Sequence, residues 1–92
     1  MRLLEVRLDL WLWYARFFKT RSKAQKAIEE GRVTRNGRVA GRNAEDVKIG
    51  DHLSLDFGKT VREVRVRTMA ERRGPAPEAR AMYDSADETK IW

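Results

Sequence analysis

Thr20-Arg-Ser-Lys-Ala-Gln-Lys-Ala-Ile-Glu-Glu-Gly31-Arg-Val-Thr-Arg-Asn-Gly37-Arg-Val39 passes from helix to turn to hairpin in a single short run. Ala24, Ala27 and Ile28 recur at helical spacing and predict a helix that ends near Glu30. Thr20 and Ser22 are both eligible N-caps, and Ser22 with Gln25 has capping-box spacing; the residues leave the two open. Gly31 suits the left-handed position just past a helix end. The pattern then changes. Asn36-Gly37 supplies the two positive-φ residues of a type I′ turn, so residues 33–35 and 38–39 read as a hairpin.

Upstream, Leu8, Trp11, Leu12, Ala15 and Phe18 follow the spacing of a buried stripe and predict a first helix over residues 7–18. Trp11 and Trp13 lie about 200° apart on such a helix and cannot both face one core. Downstream, residues 40–48 show no clear period and read as a loop. Residues 52–57 read as a strand with Leu53, Leu55 and Phe57 inward. Residues 61–67 read as the last strand, with Val64 and Val66 on one face and a wet edge. Past Met69 the character shifts to an arm, with a short helix opened by Pro77 and a frayed acidic end over 84–90. The expected organisation is a domain over residues 1–68 and a C-terminal arm over 69–92.

Charge is not spread evenly over these elements. Residues 16–42 hold nine basic side chains against Glu29 and Glu30, while the remaining residues carry eleven basic and twelve acidic groups. Basicity confined to one segment points to a polyanionic partner. Each Lys or Arg that neutralises a phosphate releases counterions, with a salt slope of about −0.7 to −0.9 per contact. Thr20, Gln25 and Asn36 add neutral donors for sugar or phosphate oxygens. Trp13 or Tyr14 could stack on a base, although packing in the core is the stronger reading for a chain of 92 residues.

Other classes find little support. Cysteine is absent, which removes disulfides and thiolate chemistry and fits the cytosol. No apolar run approaches the roughly 18 residues of a membrane span, and the first residues lack the apolar core of a signal peptide. His52 stands alone at a strand start and faces solvent, so no metal or cofactor site is expected. Asp56-Phe57-Gly58 matches a kinase triplet in letters only. Nothing supplies a nucleophile, base or metal, so the chain reads as a binding protein with no catalytic residues.

The order Arg7-Leu8-Asp9-x-x-Leu12, Thr20-Arg21-x-x-Ala24, Ile28-x-x-Gly31-x-Val33-x-Arg35-Asn36-Gly37, then Gly50-Asp51, resembles the alpha-L motif of the S-four-type RNA-binding domain. Asp9-x-Trp11-Leu-Trp13-x-Ala15-Arg16-Phe17-x-Lys19-Thr20-Arg21, with Arg72-Arg73-Gly-Pro-Ala-Pro77 and Ala81-Met-Tyr83, is similar to the heat shock protein 15 family. That resemblance implies a non-catalytic, cytoplasmic, ribosome-associated RNA-binding protein. It further implies binding to large-subunit rRNA and peptidyl-tRNA on the large ribosomal subunit, in the rescue of free subunits that carry nascent chains after heat stress. The RNA-facing residues it implies are Arg7, Arg16, Lys19, Thr20, Arg21, Lys23, Lys26, Arg35, Asn36, Arg38 and Arg42. Asp9 is expected to cap the first helix or to pair with a nearby Arg. Where the wider family has an apolar residue before Asn-Gly, this chain has Arg35.

Together these readings predict a monomeric α+β domain. Two helices pack on a small, mostly antiparallel sheet, and the second helix and hairpin form one basic face for structured RNA, which suits shape and phosphate contacts better than DNA does. The competing readings are an accessory module of an RNA-modifying enzyme and a protein-interaction adaptor.

Overall fold

Leu53, Leu55, Val64 and Val66 alternate with polar neighbours, and all four are fully buried. They line the inner face of an antiparallel sheet, on which two short helices lie. A computed structural model describes residues 5–41 and 45–85. In chain order the elements are β1 (Glu5–Arg7), α1 (Leu8–Tyr14), α2 (Arg21–Glu29), β2 (Val33–Arg35), β3 (Arg38–Val39), β4 (Asp46–Lys48), β5 (His52–Asp56), β6 (Val61–Val66), α3 (Ala76–Arg80) and β7 (Tyr83–Ser85). The five-stranded sheet has the order β3-β2-β5-β6-β7, and β1 with β4 makes a separate pair. The expected α+β architecture is what the chain adopts.

The hairpin forms as its turn residues dictate. Thr34 pairs with Val39 and Arg35 with Arg38, while Asn36 at φ 53° and Gly37 at φ 86° close the turn. Helix α2 also follows its local signals. Thr20 is the N-cap, its hydroxyl oxygen accepting from the Lys23 N–H at 3.1 Å. At the far end the Gly31 N–H donates to Ile28 O and the Arg32 N–H to Ala27 O, with Gly31 at φ 78°. This closure satisfies two carbonyls that the helix end leaves free. Arg32 therefore closes the helix through its backbone, while its side chain pairs with Glu30 at 3.2 Å.

Helix α1 is shorter than its apolar period predicts. It stops at Tyr14 because Arg16 takes the left-handed position, at φ 66°, and the Phe17 N–H turns back to Leu12 O. A non-glycine residue there costs roughly 1 kcal/mol. The carbonyl closure offsets that cost, and so does the Arg16 Nε, which donates to Gly74 O at 2.9 Å. Trp11 is fully buried, with its indole N–H on Thr68 O at 3.0 Å, whereas Trp13 stays half-buried at the side.

Four further expectations need correction. Residues 46–48 are strand, not loop: β4 pairs with β1 through Val6 and Val47, and neither three-residue strand is long enough to show a period. Arg7 lies in β1, one residue before the helix. Phe57 does not point inward but lies past the end of β5, 36% exposed. Nor is β6 the last strand, because β7 pairs with it through Val66 and Tyr83 and takes over that edge of the sheet. Residues 84 and 85 thus belong to the sheet; 86–90 of the expected frayed end lie outside the described residues. Pro77 does sit in the first turn of α3, and Met82 just beyond it is buried in the main core.

Candidate nucleic-acid interface

Asp9 sits in the first turn of α1 with no exposed surface. An isolated carboxylate could not stay charged there, so the surroundings must supply donors. They do. Arg7 donates from Nε and Nη2 at 3.2 and 3.1 Å, Arg21 from Nε at 3.2 Å, Gln25 from Nε2 at 2.9 Å, and the Leu10 N–H at 2.9 Å. Burial pushes the Asp9 carboxyl up, but the bonds from Gln25, Arg7 and Arg21 outweigh it and hold the group below its ordinary value. The Arg7 and Arg21 side chains stay about two fifths exposed, at 40% and 41%. Asp9 therefore ties α2 to α1 and presents two arginines outward together.

On the other flank of α2 lie Lys23 and Lys26, both exposed. At about 100° per residue they are separated from Arg21 and Gln25 by about 100° to 160° around the helix. Lys23, Lys26 and Arg32 line one open depression with Phe18, Ala27 and Glu30. Lys26 reaches Glu30 only at 4.0 Å. Lys19 is exposed at the mouth of the turn that leads into the helix.

The hairpin is organised around a second acid. Asp51 accepts from Arg35 Nε at 2.8 Å, Asn36 Nδ2 at 3.0 Å and the Lys48 N–H at 2.9 Å. Burial raises the Asp51 carboxyl, and the bonds from Arg35, Asn36 and the Lys48 backbone bring it below its ordinary value. Arg35 also reaches Glu45 at 3.0 Å, and the bond to Asp51 leads the causes that raise its own pKa. Asn36 is tied to β5 as well: its N–H donates to His52 O and its Oδ1 accepts from the His52 N–H. Arg38 is exposed and lines a second depression with Arg35, Asn36 and Glu45.

The eleven sequence-predicted residues thus fall into separate groups rather than one uniform face. Arg7 and Arg21 share Asp9; Lys23 and Lys26 share a depression; Arg35, Asn36 and Arg38 share the hairpin. Arg16 is exposed but engaged with the Gly74 carbonyl. Thr20, Gln25 and Asn36, read as neutral donors to a ligand, each have a partner inside the fold. Arg42 lies outside the described residues. Sequence reading missed Arg32 as a lining residue and Asp51 as an organiser; only its place in the Gly50-Asp51 pair marked the latter. It also missed Arg73, whose Nε donates to Trp13 O at 3.0 Å while its guanidinium lies 5.7 Å from the Trp13 ring centroid. His52 is half-buried, with its Nε2 3.2 Å from a Glu63 carboxylate oxygen. Among the described residues no three acidic or histidine side chains gather to hold a metal, and no helix is long and apolar enough to cross a membrane.

Comparison with known proteins matches residues 6–53 to the S4 domain family model. Heat shock protein 15 of Escherichia coli is 42% identical over 85 residues, which is 92% of this chain and 63% of the relative. This chain therefore spans less than two thirds of that protein. The RQC P-site tRNA stabilizing factor of Bacillus subtilis is 34% identical over 86 residues, covering 94% of this chain and 98% of the relative. Among solved structures, a trimeric structure of Vibrio cholerae heat shock protein 15 superposes with a TM-score of 0.85 at 39% identity, over 92% of this chain and 85% of that one.

Proposed function

This chain belongs to the S4 domain family, and from that premise we propose that it binds structured RNA on the large ribosomal subunit, contacting rRNA and the tRNA of a stalled nascent chain. The observation that carries the reading is the overlap of charge and motif. The family match over 6–53 contains the whole basic run of 16–42, and the fold leaves Lys19, Lys23, Lys26 and Arg38 exposed along it. Arg7 and Arg21 add a pair of guanidinium groups held at fixed spacing by Asp9, which suits phosphate oxygens. Arg16, Thr20, Arg35, Asn36 and Arg42 complete the proposed surface, as contacts or by fixing its shape. The relatives' names, heat shock protein 15 and P-site tRNA stabilizing factor, support a role in rescuing subunits after heat stress. In this reading the protein acts in the cytoplasm by binding, without catalysis, as one copy per subunit.

Sedimentation through salt-controlled gradients tests the proposal. Tagged protein should travel with free large subunits, more strongly when they carry tRNA, and failure to do so removes the ribosome from the reading. Replacing Lys23 and Lys26 together by Glu should weaken RNA binding and reduce the salt slope by about 1.4 to 1.8. Light scattering decides between one copy and an assembly.

A further inference from the structure

Four of the half-buried or exposed rings are already committed within the fold. Trp13 and Tyr14 face each other at 5.7 Å with Arg73 beside Trp13, and Phe17 packs on Trp11 and Tyr83 at 6.2 and 4.6 Å. Phe57 differs. It stands just beyond β5, 36% exposed, and its one ring neighbour among the described residues is Phe18, at 5.5 Å and tilted by 43°. Its position is set by the backbone. The Phe57 N–H donates to Thr60 O, the Asp56 carboxylate accepts from the Gly58 N–H, and the Asp56 N–H donates to Arg32 O. That last bond brings the strand end beside the residue that follows α2. Phe18 itself lines the depression that holds Lys23, Lys26 and Arg32 against the single acid Glu30.

We propose that Phe57, backed by Phe18, is a stacking platform for one unpaired nucleobase, with Lys23 and Lys26 holding the adjoining phosphates. This inference rests on the RNA-binding reading and adds the part of the RNA recognised there. A paired base within an A-form helix offers no free face, whereas a bulged or looped base does. An exposed ring packed on Phe18, which walls a cation-lined depression, meets both needs of such a nucleotide, a flat apolar surface for the base and cations for its backbone. The Asp56 carboxylate works against an approaching phosphate, so the backbone should enter from the α2 side.

The test compares an RNA stem-loop carrying one bulged adenosine with the same RNA made abasic at the bulge. Wild-type protein should prefer the intact bulge by about five- to tenfold or more, the low end of what stacking on an aromatic contributes. Phe57→Ala and Phe57→Leu should bind both RNAs alike, at the weaker level. Retention of the base preference by Phe57→Ala overturns the platform, as does its absence in the wild type. Full rescue by Phe57→Leu overturns stacking in favour of simple apolar contact. In each of these cases a lower affinity and flatter salt slope in the Lys23→Glu, Lys26→Glu protein leaves the RNA-binding reading standing. Failure of the wild type to bind either RNA overturns both. Phe57 lies at the surface, and thermal melting checks that the variants remain folded.

Discussion

Two buried acids organise the basic surface, and they treat their arginines differently. Asp9 gathers Arg7, Arg21 and Gln25 at the helix pair but leaves each arginine side chain about two fifths exposed. Asp51 gathers Arg35 and Asn36 at the hairpin, and Glu45 joins it, so that Arg35 is only 24% exposed and bonded to two carboxylates. Both acids resolve the same problem, a carboxylate out of water. The helix cluster has more cation than anion and displays the surplus. In the hairpin cluster acids outnumber the cation, and the charge is spent on holding the turn. An arginine in a basic run is thus no measure of ligand contact until its acids are counted.

The comparison breaks first at Asp9. Asp9→Asn should lower unfolding free energy by about 3 kcal/mol, near the lower bound for breaking a buried pair because both arginines can reach water. Urea titration reads the loss, and RNA affinity should fall with it as Arg7 and Arg21 lose their common anchor. A change below about 1 kcal/mol would show that the cluster contributes little to α1 and α2 docking.

Acid titration probes both clusters at once. Each carboxyl is held below the ordinary value of 3.8, so the unfolded chain takes up protons before the folded one. Their contribution is complete above that value and disappears as pH falls through the depressed ones. Stability should therefore drop on acidification below about pH 4. In a protein carrying both Asp9→Asn and Asp51→Asn that part of the drop should vanish, and an unchanged profile would assign acid unfolding to other groups.

Asp51→Asn should cost less, about 1 to 2 kcal/mol, because its partners keep Glu45 and the β5 backbone. Hydrogen exchange at Asn36 and His52 is the local readout and should quicken while that of α2 does not. Smallest of all is a paired contrast. Lys23→Ala should leave stability within about 0.5 kcal/mol yet flatten the RNA salt slope by about 0.7 to 0.9. Arg35→Gln, which also removes one charge, should do the reverse, destabilising the hairpin with little change in slope. Equal slopes for the two variants would erase the distinction between displayed and spent charge.

Much of the fold is written in local signals, and those are the parts legible without coordinates. Gly31 past the helix end and Asn36-Gly37 in the turn act over three or four residues, so the chemistry that selects them is complete in the chain itself, whereas the choice of Thr20 over Ser22 as the cap of α2 came only with the fold. The alternation through Leu53 and Leu55 and through Val64 and Val66 is just as local. What escaped reading depends on distant partners. β1 and β4 are three residues each and exist because Val6 meets Val47 across some forty positions. The first helix has an apolar period to Phe18 but stops at Tyr14, where Arg16 finds a distant carbonyl at Gly74. β7 needs β6 as its template.

The candidate site divides the same way. By itself the sequence determined that cations concentrate in residues 16–42, that a helix and a hairpin carry them, and that no thiol chemistry accompanies them. Which of those cations face outward was decided only by the tertiary structure. A carboxylate's reach of about 3 Å acts through space, not along the chain, so Asp51 could claim Arg35 from 16 residues away and Asp9 could align Arg21 from 12. Folding also turned Phe57 out beside Phe18 instead of into the core. Composition places the charge; the acids brought beside it decide how much remains to offer.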